Sequence, residues 1–182
     1  MTLVLVGAHG AGKSTLGAAL ALRTGWSFHE ELGRWLAERL RPSGATAATP
    51  QDSFDHTLFC AELARDRCWP FDRPRIVESW HPTNLAYARR RSPGVVPVFM
   101  ADIRAQIHHH PVWVLPIHRS NRPQSEPGDA SFFDQVGAEA EVISQELGLR
   151  CLPPLSNNGS IDSAVSQALN LISEEQGWPK SI

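Results

Sequence analysis

Residues Gly7 to Ser14 read Gly-Ala-His-Gly-Ala-Gly-Lys-Ser, a complete G-x-x-x-x-G-K-[ST] pattern close to the N-terminus. Each residue type has a use at that spacing. Gly7, Gly10 and Gly12 let the backbone turn tightly and approach an anion with no Cβ in the way. Successive N–H groups can then converge as an anion nest, backed by the positive end of a following helix. Lys13 would reach the β- and γ-phosphates of a triphosphate, and Ser14 would place its hydroxyl on Mg²⁺. The expected cradle therefore runs through Gly7, Ala8, His9, Gly10, Ala11, Gly12, Lys13, Ser14 and Thr15, with Thr15 committed to the helix behind it. His9 sits in the loop facing its mouth and has no assigned role.

The pattern becomes a site only in the right context, and both flanks supply it. Leu3-Val4-Leu5-Val6 is a short apolar run that reads as a buried strand, and Thr15 to Leu22 is an Ala/Leu-rich helix. A second strand is expected near Trp26–His29, after Gly25 ends that helix, and a short helix over Leu32–Leu40. Pro42–Ala48 reads as a loop. Thr49, Pro50 and Asp52 read as the cap, first residue and reciprocal acid of a helix reaching about Trp69 and stopped by Pro70. Further strands are expected at Arg75–Glu78, Val112–Ile117 and Arg150–Pro153. Further helices are expected from His81, over Val98–His108, over Phe132–Leu147 and over Ile161–Glu175. Strands alternating with helices imply parallel βαβ units with helices on both faces, and ligands at the carboxyl ends of the strands.

Several side chains fall at those ends. Glu78 closes a strand, where a carboxylate would hold the metal's water shell or take a proton from an acceptor hydroxyl. Glu30 and Glu31 follow the second strand. One would face the substrate, and alternation sends the two to opposite sides without saying which. Arg34, four residues beyond Glu30, either binds a substrate phosphate or pairs with Glu30. Arg119 and Arg122 follow a strand in a Pro-rich polar segment, His118–Ala130, and could close over a transferring phosphoryl group. Arg89-Arg90-Arg91 reads as a solvated helix end. Trp80, Trp35 and Tyr87 could stack on a planar acceptor or pack in the core. His108-His109-His110 cannot share one helix face and reads as a surface loop.

Composition sets bounds. The chain has 182 residues, 42% hydrophobic and 20% charged, with a formal net charge of −2. Those values fit one globular domain over residues 1–182 and give no basic surface for nucleic acid. No apolar run approaches the roughly 18 residues of a membrane span, and a strand starting at once leaves no room for a signal peptide. Cys60, Cys68 and Cys151 form no C-x-x-C pair, which suggests reduced thiols and a cytoplasmic location. Cys60 and Cys68, two helical turns apart, read as core fillers.

Taken together, the chain resembles the small P-loop kinases, which include thymidylate kinase-like enzymes, deoxynucleoside kinases and the nicotinamide riboside kinase-like ATPase group. The resemblance rests on Gly7–Thr15, Glu30-Glu31, Glu78-Ser79-Trp80-His81, Asn84-Leu85-Ala86-Tyr87, Arg119–Arg122 and the closing Gly148–Leu152 segment with its helix. It implies a three-layer α/β/α fold around a mostly parallel five-stranded sheet of order 2-3-1-4-5. It also implies a substrate-covering helical region between the second and third strands, and a lid over roughly 118–131. ATP and Mg²⁺ would be the donor and its metal. Lys13, Glu30 or Glu31, Glu78, Arg119 and Arg122 would be catalytic, Ser14 and Glu78 would organise Mg²⁺, and Arg34, Trp80 and Tyr87 would meet the acceptor. Many relatives carry Asp-Arg where this chain has Glu78-Ser79, so a contact to an acceptor phosphate is missing. A neutral acceptor, a nucleoside or another small alcohol, becomes more attractive than a nucleotide. The alternative is a nucleotide-dependent regulatory or partner-binding ATPase. Monomer and homodimer both remain open.

Overall fold

The computed structural model describes residues 1–40, 51–70, 73–107, 111–120 and 130–174. At its centre, β1 (Thr2–Val6) is buried along its whole length. A strand covered on both faces needs an unbroken apolar run, and Leu3-Val4-Leu5-Val6 supplies it. On one side β1 pairs with β3 (Arg75–Glu78), which pairs with β2 (Ser27–His29); on the other it pairs with β4 (Val112–His118), and all these pairings are parallel. The edge beyond β4 is held by β5 (Arg150–Cys151) and β6 (Leu155–Ser156), also parallel to β4.

The strand order is therefore β2-β3-β1-β4-β5, with β6 off the path beside β4. The expected five-strand order is present, and the last strand differs in being split in two. Pro153 and Pro154 lie between the halves, and proline has no N–H for the ladder. Pairing survives at Leu152, whose N–H donates to Val114 O at 2.8 Å, and resumes at Asn157, whose N–H donates to His118 O at 2.7 Å.

Alternation along the strands sends side chains to two cores. Val4, Val6, Val77 and Val114 face one layer of helices and pack with Phe59, Leu85, Ile103 and Ile143. These belong to α3 (Gln51–Arg67), α4 (His81–Arg91), α5 (Val96–Ile107) and α6 (Ala130–Glu146). Leu3, Leu5, Ile76 and Leu115 face the other layer, with Leu16 and Leu20 of α1 (Lys13–Thr24) and Ala168 and Ile172 of α7 (Ile161–Glu174). Helix α2 (Leu32–Leu40) leans on α3, where a Cβ at Gly33 would lie 3.4 Å from Leu58 Cδ2.

Helix ends follow the local signals. Helix α1 stops at Gly25, φ 74°, whose N–H donates to Ala21 O. Pro82 sits in the first turn of α4. Ser160 Oγ accepts from Ser163 N–H at 3.2 Å and caps α7. Helix α5 starts two residues before the expected Val98, behind a 3-10 turn at Pro93–Val95. One expectation fails. Cys60 and Cys68 are exposed rather than core fillers, and Cys60 Sγ lies 3.7 Å from His56 Nδ1. The run Arg89–Arg91 is a largely solvated helix end, as expected, whose guanidiniums carry ion pairs to other helices. Arg89 pairs with Glu139 and Glu146, Arg90 with Glu139 at 3.1 Å, and Arg91 with buried Asp55 at 3.6 Å. The loop Pro42–Ala48, the helix start Thr49-Pro50 and His108–His110 lie outside the described residues. Among the described residues no helix is long and apolar enough to cross a membrane.

Candidate active site

The loop between β1 and α1 has the conformation its glycines permit. Gly7, Gly10 and Gly12 adopt φ of 146°, 77° and 89°. Space matters as much as angle, because a Cβ at Gly7 would meet Ile117 O at 2.4 Å and one at Gly12 would meet Asn157 Nδ2 at 2.4 Å. Lys13 is buried, and its Nζ donates to Gly7 O and Ala8 O, each at 3.0 Å. The ammonium is thereby folded back over the loop. The helix behind adds the positive end of its dipole. Thr15, at the start of α1, is exposed, and so is His9, whose ring lies 5.1 Å from that of Phe133.

Glu78 ends β3 beside this loop and is almost fully buried. Ser14 Oγ donates to Glu78 Oε1 at 2.6 Å, and Arg34 Nη2 donates to the same oxygen at 3.3 Å. The second carboxylate oxygen, Oε2, is buried with no hydrogen-bond partner among the described residues. An orphaned anionic oxygen costs several kcal/mol unless something cationic satisfies it. A hydroxyl and a carboxylate, both hard oxygen donors, converge there beside a phosphate cradle. That donor set fits Mg²⁺, which takes one or two protein oxygens, keeps waters and shares substrate phosphates. No group of three or more His, Cys, Asp or Glu among the described residues is arranged to hold a metal alone.

The next residue, Ser79, has φ 46°, the one positive φ outside glycine among the described residues. Its N–H donates to Leu5 O at 3.1 Å and extends the sheet ladder past Glu78. The chain then turns sharply into α4. Side chains held in this region store strain, and such strain concentrates at functional turns.

The choice between the two acids after β2 is made by the turn into α2. Glu30 is exposed. Glu31 points inward, 23% exposed, and pairs with Arg34 at 3.5 Å. Arg34 thus spans Glu31 and Glu78, rather than pairing with Glu30. Burial raises the Glu31 carboxyl above its usual range; Lys13 and Arg34 oppose this, while Glu78 and Glu62 reinforce it. Tyr87, on α4, faces the same space. Burial, with the Glu31 charge adding to it, pushes its hydroxyl up to about 12. The guanidinium of Arg91 stacks 4.6 Å over the Tyr87 ring.

Trp80 does not join this wall. It is 5% exposed, packs in the core, and its Nε1 donates to Asp66 Oδ2 at 2.7 Å, so no face is left for an acceptor. Trp35 is half exposed, with Arg39 stacked 4.3 Å over its ring.

The opposite wall comes from the end of β4. Arg119 reaches the phosphate loop, with Nη1 3.9 Å from where a Gly12 Cβ would be. Arg122 lies outside the described residues, as does most of the lid segment. A cavity of about 490 Å³ opens here between Gly7, Ala8, His118, Arg119 and the α6 residues Gly137 and Glu141. His118 Nε2 and Glu141 Oε1 are 2.7 Å apart. Sequence reasoning missed Asn157, which β6 delivers to the back of the loop. Its Nδ2 donates to Ala11 O at 2.8 Å. Asn158 Oδ1 accepts from Ser120 N–H at 2.8 Å, tying the same turn to the exit of β4. The signal was the polar Asn157-Asn158-Gly159-Ser160 run after an edge strand. Gly137 was missed too; its α6 backbone packs directly on Ala8.

Known structures share the fold. A NadR protein solved in complex with NR superposes at a TM-score of 0.68 and 15% identity, over 100% of this chain and 52% of that one. Deoxyadenosine kinase from M. mycoides gives 0.63 and 11%, over 96% and 100% of the two chains. Thymidylate kinase from Ehrlichia chaffeensis gives 0.63 and 15%, over 94% and 97%. The chain spans about half the length of the NadR protein and nearly the full length of the two kinases. At such identities the likeness is one of fold. No curated protein matches the chain in sequence. A family model described as an AAA domain matches residues 2–125, from β1 through the phosphate loop and β4. The chain belongs to that AAA domain family, and its fold is that of the small P-loop kinases.

Proposed function

We propose that the chain is an ATP- and Mg²⁺-dependent phosphotransferase that moves the γ-phosphoryl group to a hydroxyl of a small acceptor, a nucleoside or related metabolite. The observation that carries this reading is Glu31. A half-buried acid that feels the charges of Lys13 and Glu78 is suited to take the proton of an acceptor hydroxyl.

Each group then has a task. Lys13 and the loop amides bind the β- and γ-phosphates. Ser14 and Glu78 would hold Mg²⁺, which when bound neutralises charge on the phosphate oxygens. Glu31 takes the proton of the acceptor hydroxyl as that oxygen bonds to the γ-phosphorus. The bridging oxygen leaves with the diphosphate. A carboxyl raised toward neutral pH suits that exchange better than an ordinary one. Arg119, with Arg122 from the lid, stabilises charge on the transferring group. Tyr87 and Arg34 border the acceptor.

The acceptor is read as unphosphorylated. Ser79 stands where many relatives have arginine, and the arginines bordering Glu31 and Tyr87 are engaged, Arg34 by Glu31 and Glu78, Arg91 by Asp55. The NadR protein was solved with NR, and the deoxyadenosine kinase with dCMP. Nucleosides, their monophosphates and NR therefore form the first panel. ATP turnover with each is the test. Stimulation by a nucleoside-type acceptor, with a phosphorylated product, is expected. Slow turnover indifferent to every acceptor would replace this reading with a regulatory ATPase.

A further inference from the structure

Behind the candidate site lies a buried charged cluster that phosphoryl transfer does not itself use. Glu62 and Asp66 stand one turn apart on α3 and flank His81, the first residue of α4. His81 Nδ1 lies 3.2 Å from Glu62 Oε2, and Nε2 lies 2.9 Å from Asp66 Oδ2. The three side chains are 1%, 0% and 4% exposed. Arg65 reaches Glu62 Oε1 at 3.5 Å and Asp66 Oδ1 at 3.3 Å. On its remaining side the ring faces Thr2 of β1, Arg75 of β3 and Gln106 of α5 across a cavity of about 20 Å³. Burial alone would strip the ring of its proton, but Asp66 and Glu62 outweigh burial and raise its pKa. Two buried carboxylates thus converge on one imidazole ring with a guanidinium beside them, and breaking one partner from such a set exposes the rest.

We propose that His81 is a positioning residue that latches α3 to the turn carrying Glu78. Two observations meet in it. The first is strain. Glu78 and His81 are joined by Ser79 at φ 46° and by buried Trp80. A strained turn persists only where its surroundings over-determine it. Asp66 Oδ2 binds both Trp80 Nε1 and His81 Nε2, so one carboxylate pins both residues after the strained one. The second is location. Helix α3 backs the acceptor wall: Leu58 lies against Gly33 of α2, and the Glu62 charge is felt at Glu31. The latch therefore fixes the metal-side acid and the acceptor-side acid in one frame. Without it, Ser79 can relax to negative φ, Glu78 swings away from Ser14, and α3 loosens from Glu31.

The inference rests on the phosphotransfer reading, and its test separates the two. His81→Gln should lower kcat by about tenfold or more, as loss of precise alignment does. It should raise KM for the acceptor and leave Mg²⁺-free ATP binding within about twofold of wild type, since Lys13 and the loop backbone are untouched. Hydrogen exchange should quicken in α3 and the 78–81 turn, but not in the loop at 7–14. Adding Glu62→Gln, which removes the stranded charge, should recover part of the lost kcat. If His81→Gln does not fold, Glu62→Gln alone removes one arm of the latch and should show the same split in milder form. A variant less stable but unchanged in kcat and in acceptor KM would overturn the latch, as would unaltered exchange in α3. A wild-type chain that phosphorylates no acceptor would end the kinase reading alone, and the exchange data would still decide the latch.

Discussion

Gly137→Ala is the most exacting perturbation, because it adds one methyl group and changes no charge. The new Cβ would lie 2.7 Å from Ala8 N, 3.1 Å from Ala8 Cα and 3.2 Å from Gly7 C. All three are backbone atoms, so no rotamer change relieves the contact. The loop must retreat by a few tenths of an ångström, or α6 must lift. Alanine gains about 1 kcal/mol over glycine inside a helix. Overpacking a tight contact costs about 1–3 kcal/mol. The net effect on unfolding is thus between about zero and 2 kcal/mol of destabilisation. Nucleotide binding should suffer more. Gly7 and Ala8 carry both carbonyls that hold Lys13 Nζ, so a shift of this backbone moves the ammonium proposed to meet the phosphates. Weakening one charge-assisted hydrogen bond is worth about 1.5–3 kcal/mol, roughly a tenfold to hundredfold loss of affinity. Urea unfolding and calorimetric ATP titration on the same sample read the two effects. A variant that is more stable by the full helix gain and binds ATP as wild type does would refute the packing argument.

Three further outcomes follow from other parts of the site. Glu31→Gln should lower kcat by about a hundredfold, the usual worth of a general base. The acid limb of the wild-type kcat/KM profile should lie above the ordinary glutamate value of 4.5, because burial raises this carboxyl; Glu30→Gln should leave the limb in place. Asn157→Ala removes the bond to Ala11 O and should cost about 1 kcal/mol in urea stability together with weaker nucleotide binding. His81 gives a pH signature. Its raised pKa means the folded chain holds a proton that the unfolded chain releases. That stability is fully present below about pH 6.5 and is lost as pH rises through the folded value. The urea midpoint should therefore fall over that window, and His81→Gln should remove this component of the slope.

What could be read from the residues depended on how local the physics is. The phosphate loop was legible because glycine spacing and one lysine define it within eight residues. The strands were legible as apolar runs between helices, and their order came from the resemblance. The choice of Glu31 over Glu30 was not, because it depends on where β2 ends and α2 begins, a boundary one residue wide. Trp80 reads the same in sequence whether it stacks on a ligand or fills a core; only Asp66, fourteen residues away, decides it. The ion-pair partners of Arg89–Arg91 were not legible, because they sit on α6 and α3, dozens of residues distant. Asn157 crosses 146 residues to reach Ala11, and His81 meets its acids across a helix and a strand. Side chains of this kind carry no periodic signal, since their partners are set by topology.

The central claim is transfer of a phosphoryl group to a small alcohol, and mass spectrometry of the products tests it most directly. The wild-type chain and Lys13→Ala would each be incubated with ATP, Mg²⁺ and a pool of nucleosides, nucleoside monophosphates and NR. The account predicts one or more nucleoside-type acceptors gaining a phosphoryl group with the wild type. It predicts a loss of at least about 2 kcal/mol of transition-state stabilisation, roughly thirtyfold in rate, with Lys13→Ala. Diphosphate formed with no phosphorylated acceptor, or equal product from the Lys13→Ala variant, would contradict it.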